Sequence, residues 1–198
     1  LHGRLGLHKA CVAFDVNLGC SAYAYGLWLA SKMLDGQAIG RVLLLVGDTI
    51  SKTVDDSDRA TALLFGDAGT ASALEFDSAA PVSHFILGSD GSGERHLMMA
   101  ASACRPYLGD DARLAQRDAT KLYMDGGEIF NFTLKNIPPL VTDLLHFSGR
   151  DAEQIDAFLF HLVVVRCDGV DHLRVHVVAL AIFRAQARVR AFLVVIHG

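Results

Sequence analysis

The chain has 198 residues, 52% of them hydrophobic, and a net charge of −4 at neutral pH from 18 basic and 22 acidic side chains. That length suits one domain or the greater part of a larger one, and a weakly acidic chain without a basic cluster is not built to track a phosphate backbone, which excludes nucleic acid as an expected partner. No run of eighteen apolar residues escapes charge or glycine for long, so no membrane span is expected.

The opening LHGRLGLHKA lacks a charged region followed by a clean apolar core and cleavage site, so no signal peptide is expected. With no initiator Met, the chain reads as a fragment entered mid-domain. CVAFDV, Cys11 to Val16, is rich in strand formers and predicts a short strand. Asn17-Leu18-Gly19 breaks it, and Ser21 to Asp35 carries Leu27, Leu29, Met33 and Leu34 into a predicted helix that Gly36 should stop. RVLLLVGD, Arg41 to Asp48, is a continuous apolar run, the pattern of a strand buried on both faces. DDSD, Asp55 to Asp58, is the one acidic knot and reads as a solvated loop. A short helix or turn in TALLF, a corner at Gly66-Asp67-Ala68-Gly69 and a strand from about Thr70 to Phe76 follow, then VSHFILGSD as another strand. Strand–helix–strand order with apolar strands argues for an α/β sheet covered on both faces.

From Ser89 the texture loosens: GSDGSGERH and CRPYLGDDARLAQRD read as loops. Met124 to Phe147 spaces Ile129, Phe130, Ile137, Leu140 and Leu144 for a broad apolar helix face, with Pro138-Pro139 expected to bend or split it. IDAFLFH is a further strand ending at His161. Texture divides the chain into residues 1–88; 89–161, which opens on a linker; and 162–198, an atypical tail. That tail is dense in Val, Ala, Leu, Arg and His, has no proline, and sustains neither a period of 2 nor one of 3.6. Two strands and a helix, or a terminus read in a non-native frame, both stay open for it.

Cys11, Cys20, Cys104 and Cys167 are widely spaced and form no Cys-x-x-Cys pair, which predicts free thiols in a reducing compartment, the cytoplasm. Cys20 stands where the predicted strand turns into the predicted helix. Unpaired N–H groups converge at a helix start and the dipole there favours negative charge. A thiol so placed should have a lowered pKa and be the better nucleophile, and the same amides suit a thioester oxyanion. Gly19 is expected to permit the tight turn. The competing reading of Cys20 is a buried structural cysteine.

NLGCSAYAYGL, RVLLLVGD, DDSDRATALLFGDAGTASALEF, MDGGEIFNFTL and IDAFLFH, in that order from about Ala13 to His161, resemble the β-ketoacyl-ACP synthase III family of the thiolase superfamily. The resemblance implies a thiolase-like layered α/β fold, here incomplete: the strands ahead of the cysteine strand and the C-terminal Asn loop are missing. It implies Cys20 as the acyl-accepting cysteine and His161 as the catalytic histidine that opens the family's His-Gln-Ala-Asn motif. It further implies Arg59 as a contact to the nucleotide end of coenzyme A, and Phe130 as part of the pantetheine tunnel. Gly66, Asp67 and Gly69 match a corner whose role is backbone geometry. The implied chemistry is acyl transfer from acyl-CoA to Cys20, then condensation with malonyl-ACP, releasing carbon dioxide and leaving a 3-oxoacyl-ACP. The expected partners are acyl-CoA, acyl carrier protein and a second copy in a homodimer; no metal or organic cofactor is expected.

Two departures stand against the pattern. His161 is followed by Leu162, Val163 and Val164 in place of Gln-Ala-Asn, and Asn136 is the last asparagine in the chain. Losing one oxyanion donor costs on the order of 10²–10³ in rate where it has been measured. A second function class therefore competes with the condensing enzyme: a truncated, catalytically silent remnant that only binds acyl-CoA or a partner subunit. A third is a polyketide-starter condensing enzyme. Cys167, His172 and His176 lack a fourth ligand nearby, so a zinc site is not expected. Tyr23, Tyr25 and Trp28 are expected to pack in the core, and Glu128 to sit at a helix start rather than act as an acid.

Overall fold

The computed structural model describes residues 1–34, 36–102, 106, 109, 111, 112, 114, 117–155, 157–161, 164–167, 173–176 and 179–183; beyond Ile155 it describes backbone alone, except at Phe158. The elements in chain order are helix α1 (Ala22–Met33), strand β1 (Arg41–Asp48), the one-turn helix α2 (Arg59–Ala62), strand β2 (Ala68–Glu75), short strands β3 (Leu97–Met99) and β4 (Leu122–Met124), helix α3 (Gly126–Ser148), and strands β5 (Ala157–His161), β6 (Val164–Cys167), β7 (Leu173–His176) and β8 (Ala179–Phe183). Among the described residues the strands form four antiparallel pairs: β1 with β2, β3 with β4, β5 with β8 and β6 with β7.

β1 and β2 pair over their whole length, Leu43 opposite Ala73, Leu44 opposite Ser72 and Leu45 opposite Ala71. Side chains alternate across such a ribbon, so Val42, Leu44 and Val46 share one face with Thr70, Ser72 and Leu74. α1 lies on that face. A Cβ at Gly26 would stand 2.7 Å from a Leu44 methyl, so glycine is what lets the helix axis come this close. Tyr23 Oη sits 3.1 Å from Ser72 Oγ, and Ser72 is 1% exposed. Tyr25 Oη donates to the Gly88 carbonyl at 2.7 Å. The two tyrosines thus tether α1 by hydroxyl contacts, a use that the expectation of plain core packing did not include.

The opposite face is bare. Leu43 is 52% exposed and Leu45 42%, which corrects the expectation of a strand buried on both sides. An uninterrupted apolar run does not say how many layers cover it, and here one helix covers one face. CVAFDV and VSHFILGSD also form no strand, because no neighbouring strand offers either of them a ladder; Val12, Phe14 and Val16 are exposed. The buried side chains among the described residues are few: Ala30, Val54, Leu114, Leu144, Thr61, Ser72 and Thr133.

α3 runs as one helix through Pro138 and Pro139, so the prolines do not split it. Both of its ends are well closed. Asp125 accepts from the Glu128 N–H at 3.2 Å, which puts Glu128 at the helix start as expected. Gly149, in the left-handed conformation at φ 64°, donates to the His146 carbonyl, and the Arg150 N–H reaches Leu145. Pro138 returns no N–H to the turn before it, but its own carbonyl accepts from Thr142 Oγ1 at 3.1 Å.

The backbone of β5 to β8 is extended, with His161 opposite Ala179 and His176 opposite Val164. His176 is therefore on a strand. Cys104 and His172 lie outside the described residues.

Candidate active site

Cys20 directly precedes α1. The Ala22 N–H donates to the Gly19 carbonyl at 2.9 Å and the Tyr25 N–H to the Ser21 carbonyl at 3.1 Å, so the turn and the first helical bond close around the thiol. Gly19 is not in the left-handed region, and a Cβ added there would meet nothing within 4 Å; the turn does not require glycine, contrary to expectation. The thiol is free and half-buried. Burial pushes it up from the ordinary cysteine value; the backbone N–H of Cys20 itself pulls it down by less, and the Asp48 carboxylate adds to the rise. The expected lowering by the helix start is thus reversed, because the sulfur is shielded from water and Asp48, at the end of β1, faces it with negative charge.

Beyond Asp48 the chain makes an excursion, residues 49–67, before returning as β2. Its neck is closed by Asp67, whose carboxylate accepts from the Ser51 N–H at 2.9 Å and from Ser51 Oγ at 2.8 Å. These bonds hold the Asp67 carboxyl below the usual range, and they give the Gly-Asp corner the geometric role expected of it. At the far end, Arg59 is the first residue of α2 and is exposed. Asp58 caps that turn: its side chain accepts from the Ala60 N–H at 3.0 Å. The same carboxylate takes a hydrogen bond from Arg117 Nη1 at 2.8 Å, and its side chain is 13% exposed. Arg117 is the largest cause holding the Asp58 carboxyl down.

Three further hydrogen bonds fasten the excursion to residues 117–123. The Leu122 N–H donates to the Thr53 carbonyl at 2.8 Å, and Lys121 Nζ donates to the carbonyls of Val54 at 3.0 Å and Lys52 at 3.4 Å. The Arg117 guanidinium carbon lies 5.2 Å from the centre of the Tyr123 ring. Below this brace, Leu114 and Tyr123 help to line a cavity of about 20 Å³, room for a single water. Reading CRPYLGDDARLAQRD as loop missed Arg117, and Lys121, just beyond that stretch, was singled out by no motif. The available signal was charge: the only acidic knot, Asp55 to Asp58, calls for cations somewhere in the chain.

Phe130 lies in the first half of α3 and is 38% exposed. His161 ends β5 on the backbone, and its side chain lies outside the described residues. An open groove of about 500 Å³ runs between Phe85, Ile86 and Leu87 and the end of α3 at Asp143, His146 and Phe147. Cys20, Arg59 and Phe130 line neither this groove nor the smaller cavity. Among the described residues no group of three or more His, Cys, Asp or Glu side chains is placed to hold a metal ion, and no helix is long and apolar enough to cross a membrane.

A helix-backed α/β ribbon with small open sheets, a cysteine ahead of the helix and a braced excursion beyond it define an incomplete thiolase-like fold. Comparison with known proteins agrees. A 3-oxoacyl-(acyl-carrier protein) synthase from Burkholderia xenovorans LB400 superposes with a TM-score of 0.77 at 49% identity, over 81% of this chain and 46% of that one. A second solved structure, a 3-oxoacyl-(acyl-carrier-protein) synthase III, gives a TM-score of 0.70 at 36% identity, covering 78% of this chain and 49% of that one. Residues 14–91 match the 3-oxoacyl-[acyl-carrier-protein (ACP)] synthase III family. The β-ketoacyl-[acyl-carrier-protein] synthase III of Thermosynechococcus vestitus is 33% identical over 158 residues, 80% of this chain and 48% of that protein; that of Synechococcus elongatus is 32% identical, over 79% of this chain and 47% of its own length. The chain matches the 3-oxoacyl-ACP synthase III family of the thiolase superfamily at moderate identity over about 80% of its length. It spans about half the length of the curated relatives it matches.

Proposed function

We propose that this chain is a catalytically silent relative of the condensing enzymes, one that binds acyl-CoA through the braced excursion carrying Arg59 without passing the acyl group to Cys20. The observation that supports this reading is the thiol itself. Burial and the Asp48 charge raise its pKa, so near neutral pH it stays protonated and is the weaker nucleophile. Past His161, Leu-Val-Val stands in place of Gln-Ala-Asn and no asparagine follows, so the donor that the resemblance places in a C-terminal Asn loop, on which the second half-reaction depends, is missing. On this reading Arg59 meets the nucleotide end of coenzyme A, Phe130 lies along the pantetheine, and His161 is the descendant of the catalytic base. The excess of exposed apolar surface fits a partner subunit, as in a homodimer, and a cytoplasmic location suits the free thiols.

A second reading, acyl-CoA plus malonyl-ACP condensation through an acyl-cysteine, is favoured by one observation: Cys20 sits directly ahead of α1, at a helix start, where unpaired amides favour negative charge. Intact mass after incubation with radiolabelled acetyl-CoA, and with longer acyl-CoAs, separates the two. The expected result is no adduct on Cys20 at pH 7, together with coenzyme A binding that Arg59→Ala weakens about tenfold, the loss of one charged contact. A stoichiometric thioester on Cys20 would overturn the silent reading and establish the second one.

A further inference from the structure

Arg59 carries the coenzyme A reading, yet its helix is a single turn of four residues, too short to hold its shape alone. What fixes it lies 59 residues further along the chain. The Asp58 carboxylate is shared between the Ala60 N–H and Arg117 Nη1, and Thr61, fully buried, bonds the Asp58 carbonyl at 3.3 Å. Arg117 is in turn seated on the Tyr123 ring, and its neighbour Lys121 holds two carbonyls of the same excursion. An exposed ion pair alone contributes little. This one differs because the carboxylate it holds, with its side chain 13% exposed, is already committed to capping the turn.

We propose that Arg117 is a positioning residue: by holding the capping carboxylate of Asp58 it fixes α2, and so sets the direction in which Arg59 faces the nucleotide end of coenzyme A. The proposal rests on the acyl-CoA reading above and adds to it a residue outside the motifs that gave that reading. Arg117 makes no contact with ligand; it acts through Asp58 and the turn. A guanidinium matters more than a charge here, because one of its nitrogens donates to the carboxylate while its carbon stays over the Tyr123 ring.

Two measurements on the full chain test this. Coenzyme A affinity is read by titration calorimetry for wild type, Arg59→Ala, Arg117→Ala, Arg117→Lys and the Arg59→Ala/Arg117→Ala double variant. Amide exchange of residues 58–62 is read without ligand. Arg117→Ala should weaken coenzyme A about tenfold, Arg117→Lys should restore part of that, and exchange at Ala60 to Ala62 should quicken at least tenfold. In the Arg59→Ala background, Arg117→Ala should weaken binding no further. Asp58→Asn keeps an acceptor for the Ala60 N–H while removing the ion partner, and should reproduce Arg117→Ala even where that variant folds poorly. Unchanged exchange and affinity in Asp58→Asn and Arg117→Ala would overturn the proposal, as would an equal loss from Arg117→Ala with and without Arg59. A coenzyme A affinity indifferent to Arg59→Ala sinks the acyl-CoA reading and the positioning claim with it; faster exchange in that case leaves Arg117 a brace of the turn only.

Discussion

Two approaches to the candidate site are held in opposite ways. The excursion 49–67, which carries Arg59, is closed at its neck by Asp67, capped by Asp58 and fastened across the chain by Arg117, Lys121 and Leu122. The run 11–19, which leads into Cys20, has no strand partner, and Val12, Phe14, Val16 and Leu18 are all exposed. Polar residues secure the first approach locally, with partners supplied by the described chain. The second is apolar and could be secured only by burial against another surface. The difference teaches that the excursion carrying Arg59 can be ordered by this chain alone, whereas the cysteine side depends on cover that the described residues do not provide.

Substitutions rank that contrast by size. Leu114 is 5% exposed beneath the brace, and Leu114→Ala should lower stability by about 2–5 kcal/mol in urea unfolding; a loss under 1 kcal/mol would mean that the braced side is not packed. Asp58→Ala removes a helix cap together with its ion partner and should cost about 1–2 kcal/mol, with faster exchange confined to the excursion. Acid comes next. The Asp58 carboxyl is held below its unfolded value by Arg117, so its contribution is present above about pH 4 and is lost as the pH falls through the folded value. Asp55 and Asp118 are lowered in the same direction by hydrogen bonds from Ser57 and Thr120. The urea midpoint should therefore drop between pH 5 and pH 2.5, and drop less in Arg117→Ala. The smallest effect belongs to the bare approach: Phe14→Ser, at a side chain 57% exposed, should change stability by no more than about 0.5 kcal/mol. A loss several times larger would show that the run is covered in solution, and the contrast would fail.

Much of this was legible in the chain itself. The helix after Cys20, the strand at Arg41 to Asp48 and the long helix before Gly149 follow from local pattern, capping and glycine stops. What was not legible depends on what stands beside a segment. CVAFDV has strand composition, but a strand exists only with a partner, and composition does not name one. RVLLLVGD has the texture of a doubly buried strand, yet burial depends on the number of layers. The direction of the Cys20 shift was misjudged for a similar reason: a helix start favours the thiolate, but desolvation and the Asp48 charge come from tertiary placement. The short pair β3 and β4, only three residues a side, was hidden among turn-forming residues. Arg117 was unreadable as a brace because its partner is distant in sequence, although the acidic knot it answers stood out.

The uncovered side of the β1–β2 ribbon has a practical consequence. Leucines at Leu43 and Leu45 beside two strand margins that pair with nothing among the described residues make a template for cross-chain stacking. In a crowded cell such a surface attracts chaperones, and in a tube it sets a ceiling on solubility. How much of this polypeptide survives purification will be governed by its concentration before its fold is ever in question.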